Sequence, residues 1–357
     1  MHDAALEGGY GAERYVARLV AGLEAAGDEV DVVAGEIQHR GAARLRDVWD
    51  PAARRLVAER IERFRPDVVH HHNIARELSA TVLSAADAPQ VMTVHDQRLL
   101  GAREHAWFTP HGGWELLGAA TVRRAARRRL AATIGVSEPV SDLLRRRGFP
   151  AVTTVPVPAP DRLVESVPVD RCHDLVVLAR LAPDKGVDVV LQAFRRLVRA
   201  RRLPDAARLM IAGDGPAAAE LHAAAAELGD RVRFLGVLAE PAVSRLLATA
   251  RVVVVASIPQ RRPEGSSMTL VEAAAHGRPV VGSDDPAVRH LADSLGNTVV
   301  VAPADPDAMA DAIARLFDDP AEATRLGAAG LDAVECRHSI AAVTAATQAV
   351  YRTVVRG

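Results

Sequence analysis

LVVLARLAPDKGVDVVLQAFRRLVRAR, residues 175–201, is the stretch on which the fold turns. Leu175 to Ala179 is a short apolar run that reads as a strand, and Pro183 and Gly186 punctuate the turn after it. Helix-period apolar positions then predict a helix from about Val187 to Arg201. Strand, loop and helix in that order form one unit of a parallel sheet with crossover helices. The alternation continues downstream with strands at Leu209 to Ala212, Val232 to Leu235, Val252 to Ala256 and Val280 to Gly282, and with helices over 217–228 and from Leu270. Upstream it gives a helix from about Gly11 to Ala26, a strand at Val30 to Ala34 and a helix ending near Phe64, before Pro66. Strands follow at Val68 to His70, Val91 to Val94, Thr133 to Val136 and Thr153 to Val155. The class is α/β.

Residues 155–170, VPVPAPDRLVESVPVD, carry four prolines and little periodicity, as a connection between domains does. The expected domains are residues 1–165 and 166–338, each a doubly wound parallel sheet. A last helix within 339–357, roughly Ile340 to Val355, is followed by no strand and is expected to pack back on the first domain. A chain of 357 residues suits two such domains. One strand is conspicuous: a doubly wound domain normally opens with one, yet MHDAALEGGYG leads almost directly into a helix. Either Met1 and His2 are the tail of a strand encoded upstream, or the first sheet is one strand short. The former is favoured, because a missing inner strand leaves flanking backbone groups unpaired.

Composition narrows the function classes. Hydrophobic residues make up 49% and charged residues 25%, values of a globular chain. A formal charge of -1 gives no global attraction to nucleic acid or to an anionic membrane. Cys172 and Cys336 stand too far apart in sequence for a disulfide framework or a zinc site, which suits a reducing compartment. The N-terminus has no basic start leading into an apolar run, and no apolar stretch is long enough to span a bilayer, so a cytoplasmic protein is expected.

Three segments fall where open α/β sheets bind ligands, beyond the carboxyl ends of strands. Gly8, Gly9 and Gly11 precede the first helix, as glycines do either in a phosphate-wrapping loop or in an ordinary turn. Arg180 and Lys185 share one loop, where a guanidinium fork and an ammonium suit a diphosphate leaving group unless they are simply solvated. In Pro263-Glu264-Gly265-Ser266-Ser267-Met268-Thr269-Leu270-Val271-Glu272, small residues permit close backbone approach and two carboxylates can bind hydroxyls of a sugar or a ribose. Thr269 to Glu272 also has capping-box spacing, with Gly277 ending the helix, so Glu272 is either a helix cap or a ligand. Glu264, in a loop after a strand, is a surface carboxylate or a ligand contact.

In this order the segments resemble the retaining glycosyltransferases of family 4. The resemblance covers almost the whole chain through GGYGAER, PDVVHHHN, TVHD, ATIGVSEPVSDLL, VVLARLAPDKGVDVVLQAF, LMIAGDGP, RVRFLGVL and PEGSSMTLVEAAAHGRPVVGSD. Glu264 and Glu272 stand with seven residues between them, the spacing found in that family. It implies the GT-B architecture, two Rossmann-like domains facing a central cleft. It further implies that Glu264 holds donor-sugar hydroxyls and Glu272 the ribose, while Gly265, Ser266, Ser267, Met268 and Thr269 line sugar and phosphate. Arg180 and Lys185 match the diphosphate-binding pair, Gly8 and Gly9 the loop closing over the phosphates, and Gly236 and Val237 lie by the base. His95 of TVHD matches a histidine facing the reacting centre. The implied reaction is front-face transfer with retention, in which a leaving phosphate oxygen helps to remove the acceptor proton. No cofactor and no metal are implied; the co-substrate is a nucleoside-diphosphate sugar, a UDP-sugar by family frequency. A sugar-nucleotide 2-epimerase shares the architecture, and a nucleotide-binding protein without catalysis is the alternative from another class.

Ser266 and Ser267 stand where the family often has an aromatic residue and glycine, which makes the sugar pocket more polar. The tract 97–118 concentrates Trp107, Phe108, His111 and Trp114 after a strand, either as an acceptor-facing loop, with Trp107 and His111 its contacts, or as a packed connection. His70, His71 and His72 are adjacent on a strand, so they point to alternate faces and cannot all chelate one ion. Arg123, Arg124, Arg127, Arg128 and Arg129 form a basic helix face, read as solvated in preference to membrane-bound because the opposite face is mostly alanine. The expected partners are a small-molecule donor and acceptor.

Overall fold

The computed structural model describes residues 1, 11–34, 50–72, 74, 78–95, 110–161, 164–259, 261 and 265–356, with the backbone alone at 110–119. The chain divides into two compact units, Met1–Pro158 with Ile340–Gly357, and Ala159–Ser339. The changeover thus falls between Pro158 and Ala159, inside the proline-rich tract and ahead of position 165.

In the first unit α1 (Gly11–Ala25), α2 (Pro51–Phe64), β1 (Val69–His71), β2 (Gln90–Val94), α3 (Pro110–Arg129), β3 (Ala132–Gly135), α4 (Glu138–Arg146) and β4 (Val152–Thr154) follow in sequence. β1 to β4 make a parallel sheet in simple numerical order. Asp50 starts α2 by accepting from the backbone N–H of Ala52 and Ala53 at 2.9 and 3.0 Å. Pro51 occupies the first helical position, where its missing N–H costs nothing. Val30 to Ala34, expected as a strand, joins no ladder among the described residues; only Ala34 makes an isolated bridge. A cavity of about 630 Å³ is lined by this segment and by β1.

The second unit runs through β5 (Asp174–Leu178), α5 (Val187–Arg199), β6 (Leu209–Ala212), α6 (Ala218–Ala225), β7 (Val232–Phe234), α7 (Glu240–Ala248), β8 (Ala250–Val255), α8 (Met268–Ala275), β9 (Val280–Ser283), α9 (Pro286–Leu295), β10 (Thr298–Val301), α10 (Pro306–Asp318) and α11 (Pro320–Arg337). Its parallel sheet has the order β10-β9-β8-β5-β6-β7. β8 is buried at every position, which is why its sequence ARVVVV alternates so little. Phe194 and Leu191 of α5 pack with Leu175, Leu209 and Val252 in one core. Two buried arginines hold chain ends in place of a salt bridge: Arg278 donates to the carbonyls of Val167, Ala248 and Ala250, and Arg251 to those of Val169 and Leu316.

The chain then returns to the first unit as α12 (Ile340–Arg356), which packs on α1. Gly22 is where the two helices come closest. A methyl group there would overlap Thr344 Oγ1 and approach Ile340 Cγ2 to 2.7 Å, and Thr344 is buried and β-branched, so it cannot step aside. Gly22→Ala is expected to lower the stability of the first unit by about 1–3 kcal/mol, the usual cost of overpacking, measured by chemical denaturation.

Candidate functional site

The strand order of the second sheet reverses between β5 and β8, and in open parallel sheets the crevice beyond such a reversal binds ligands. Two hydrogen bonds and one close backbone approach gather the chain there. Thr269 Oγ1 donates to the carbonyl of Leu178, the last residue of β5, at 2.9 Å. The N–H of Ile258, just past β8, donates to the carbonyl of Asp184 at 2.9 Å. Gly186, at φ 61°, lies against the carbonyl of Ala256 so closely that a side chain there would collide with it. The loop after β5, the end of β8 and the start of α8 therefore form one cluster.

The start of α8 differs from the capping box that its sequence suggests. The helix begins at Met268 with Ser267 as the N-cap residue, and the Ser267 side chain makes no capping bond. Thr269 thus sits inside the first turn with its hydroxyl committed to β5, so Glu272 is not the partner of a Thr269 cap. Glu272 is buried one turn into the helix, at 2% exposure. The far end does follow the sequence: Gly277, at φ 65°, donates to Ala274 and Arg278 to Ala273, closing a left-handed cap. Ahead of α8, Gly265 and Ser267 are buried, and Ser266 Oγ is buried with no hydrogen-bond partner. An orphaned hydroxyl of this kind is costly unless a ligand completes it. Glu264 lies outside the described residues, as do Gly8, Gly9 and Trp107, and of His111 only the backbone, in α3, is described.

Arg180 is not the bare cation that its loop suggests. Its Nη2 donates to both carboxylate oxygens of Asp184, at 2.9 and 3.1 Å, with the arginine side chain a third exposed. Asp184 is the residue that reading for cations missed; the signal was its spacing four residues after Arg180, which a turn brings face to face. Lys185 is half-buried at the end of the short 3-10 turn Pro183–Lys185. On the same side of the sheet, beyond β7, Gly236 adopts φ 64° and accepts a bond from the N–H of Gly213 at 2.7 Å. Val237 next to it is 51% exposed, an apolar surface of the kind a nucleobase stacks on.

In the first unit the carboxyl ends of β1 and β2 bring His72 and His95 together, Nδ1 to Nε2, at 2.9 Å. The Tyr15 ring meets His95 edge-on with centroids 4.7 Å apart, which fixes the imidazole plane. His70 shares the face of His72, bonded to Tyr351 Oη at 2.6 Å and Thr93 Oγ1 at 2.8 Å, whereas His71 points the other way, to Gln90 Oε1 at 2.9 Å. Burial, reinforced by the Met1 ammonium, holds His71 neutral with its pKa lowered to about 3, and the same causes hold His70 well below the usual histidine value. Arg124, Arg127, Arg128 and Arg129 of α3 are exposed while Val122 and Ala126 are buried. Asp305-Pro306-Asp307 has Asp-x-Asp spacing, but Asp305 caps α10 by accepting from the N–H of Asp307 and Ala308, each at 3.0 Å.

Two α/β units, each built on a parallel sheet, are the architecture called GT-B. Residues 9–159 match the family model described as Glycosyltransferase Family 4, and residues 172–319 that described as Glycosyl transferases group 1. The GDP-mannose-dependent alpha-(1-6)-phosphatidylinositol monomannoside mannosyltransferase of Mycolicibacterium smegmatis is 31% identical over 303 residues, 77% of this chain and 74% of that protein. Alpha-D-kanosaminyltransferase of Streptomyces kanamyceticus is 26% identical over 287 residues, 74% of this chain and 71% of that protein. Among solved structures, Anabaena HepE in complex with UDP and glucose superposes with a TM-score of 0.73 at 18% identity, covering 99% of this chain and 98% of that one. The chain belongs to the family 4 glycosyltransferases, and no helix among its described residues is long and apolar enough to cross a membrane.

Two outcomes follow from this geometry. Because His71 binds its proton only near pH 3 when folded but near 6.5 when unfolded, the stability from its neutral burial is complete above pH 6.5 and falls as pH drops toward 3. His71→Asn is expected to flatten the loss of melting temperature between pH 7 and pH 4. Ser266→Ala, by removing an unpaired buried hydroxyl, is expected to stabilise the protein by about 1 kcal/mol in thermal unfolding.

Proposed function

We propose that the cluster beyond β5 and β8 binds a nucleoside-diphosphate sugar and that the protein transfers the sugar to an acceptor hydroxyl with retention at the anomeric carbon. The observation that carries this is the convergence of Arg180, Lys185 and the start of α8 on one strand-end crevice, tied by the bond from Thr269 to Leu178. Breaking a sugar–phosphate bond builds negative charge on the departing diphosphate, and fixed donors aimed at that charge lower the barrier. Lys185 and the Arg180 fork supply positive charge, with Asp184 holding the guanidinium plane in place between turnovers. Glu264 takes the sugar hydroxyls, Glu272 the ribose, and Val237 the base. These cations do the work that a metal ion does in other transferases, and the reaction is proposed to be metal-independent. The departing phosphate oxygen accepts the acceptor's proton on the face it leaves, so no enzyme nucleophile is required.

His95 acts on the acceptor side, oriented by His72 and Tyr15. Trp107 and His111 are proposed acceptor contacts. The acceptor is proposed to be a small polar or natural-product alcohol. Family frequency favours a uridine nucleotide, and the names of the mannosyl relatives favour GDP-mannose; the serines at 266 and 267 fit a sugar with more hydroxyls to satisfy than an aromatic-lined pocket would hold.

A panel of uridine, guanosine, adenosine and thymidine diphosphate sugars, read by donor hydrolysis and thermal shift with and without EDTA, tests the reading. One nucleotide is expected to raise the melting temperature and to be hydrolysed equally in both conditions; silence across the panel sinks it. Glu264→Gln and Lys185→Ala are each expected to lower turnover at least about 100-fold, the scale of losing one charge-stabilising group, at unchanged melting temperature.

A further inference from the structure

Arg261 stands between β8 and α8, and it is fastened to the loop after β5. Its Nη1 donates to the carbonyl of Pro183 at 2.6 Å, and its backbone N–H donates to the carbonyl of Ile258 at 3.0 Å. The N–H of Ile258 donates in turn to the carbonyl of Asp184. Ile258 and Arg261 thus grip two successive carbonyls of the short turn Pro183–Lys185. Arg180 meets the same turn through the carboxylate of Asp184. Two guanidinium groups from separate parts of the chain are therefore fixed to adjacent residues, Pro183 and Asp184, with Lys185 the next along.

Gathering like charges costs Coulomb energy, and ordering an exposed arginine costs side-chain entropy. An anion shared between the charges reverses the first cost. Arg261 is exposed, and it is held by a neutral carbonyl instead of a carboxylate, so its charge is not cancelled where it is anchored. That charge is wanted at this turn. Asp184 offsets one of the two cations that the loop after β5 supplies, which leaves the loop short of balancing a doubly charged diphosphate. We infer that Arg261 is a third phosphate-binding cation of the crevice beyond β5 and β8, restoring the charge that Asp184 takes from Arg180. The inference rests on reading that crevice as a nucleoside-diphosphate-sugar site. One nitrogen of the Arg261 fork orients the group on Pro183, and the remaining N–H donors suit phosphate oxygens. The diphosphate gains negative charge as the sugar departs, so Arg261 holds the product at least as strongly as the donor.

Titration calorimetry with uridine, guanosine, adenosine and thymidine diphosphates tests this on the wild-type chain, Arg261→Gln, Arg261→Lys and Arg245→Gln. Glutamine keeps a donor for the Pro183 carbonyl without the charge, and lysine keeps the charge without the fork. Arg245, an exposed arginine of α7, controls for net charge. Arg261→Gln is expected to bind the preferred nucleoside diphosphate about 10-fold more weakly at unchanged melting temperature, the scale of one charge-assisted hydrogen bond. Arg261→Lys should recover most of that loss, and Arg245→Gln should bind as the wild type does. Wild-type affinity in Arg261→Gln, equal losses in Arg261→Gln and Arg261→Lys, or an equal loss in Arg245→Gln each overturns the inference. In those three cases the wild-type chain still binds, so the donor-site reading stands. Silence of the wild-type chain towards all four diphosphates overturns both.

Discussion

Every backbone N–H and C=O of a parallel strand must find a partner, and this obligation organises both units. In the second it is met throughout the interior of the sheet: β5 lies between β6 and β8, and even the carbonyl at its carboxyl end, on Leu178, receives a bond from the Thr269 hydroxyl. That last bond belongs to the sheet and to the site at once. It anchors the first turn of α8 over the strand ends. In the first unit the same obligation is met on one side of β1 by β2 and on the other, among the described residues, by Met1.

The two histidine-bearing strands show how burial selects a chemical state. Adjacent residues of β1 alternate between faces, so His71 is separated from its neighbours and spends its ring on Gln90, while His70 and His72 share a face with Thr93, Tyr351 and His95. Burial keeps His70 and His71 uncharged at neutral pH. His72 Nδ1 and His95 Nε2 are joined by a direct hydrogen bond, in which one ring nitrogen donates and the other accepts.

Charge in the loop after β5 is arranged in the same spirit. Arg180 is pre-positioned by a carboxylate four residues on, which limits the rotamers of a long side chain before any ligand arrives. The cost is that Asp184 partly neutralises the fork. Gly186 enforces the same geometry from the other side, since only a residue without a side chain can pass the Ala256 carbonyl.

The sequence by itself determined the α/β class, the alternation of strands and helices and the loops that carry chemistry. Those depend on local periodicity and on glycine and proline placement, both legible from neighbours in the chain. β6 starts and ends where the residues say, and α12 was legible as a helix with no strand to follow. What the tertiary structure alone decided was which partner each polar group takes. The Thr269 hydroxyl chose the Leu178 carbonyl over a helix cap, Arg180 chose Asp184, and Val30 to Ala34 stayed outside the sheet despite strand-forming residues. A strand is made by its neighbours, and a hydrogen bond by whichever acceptor folding brings within reach; neither is encoded in the spacing of residues along one segment.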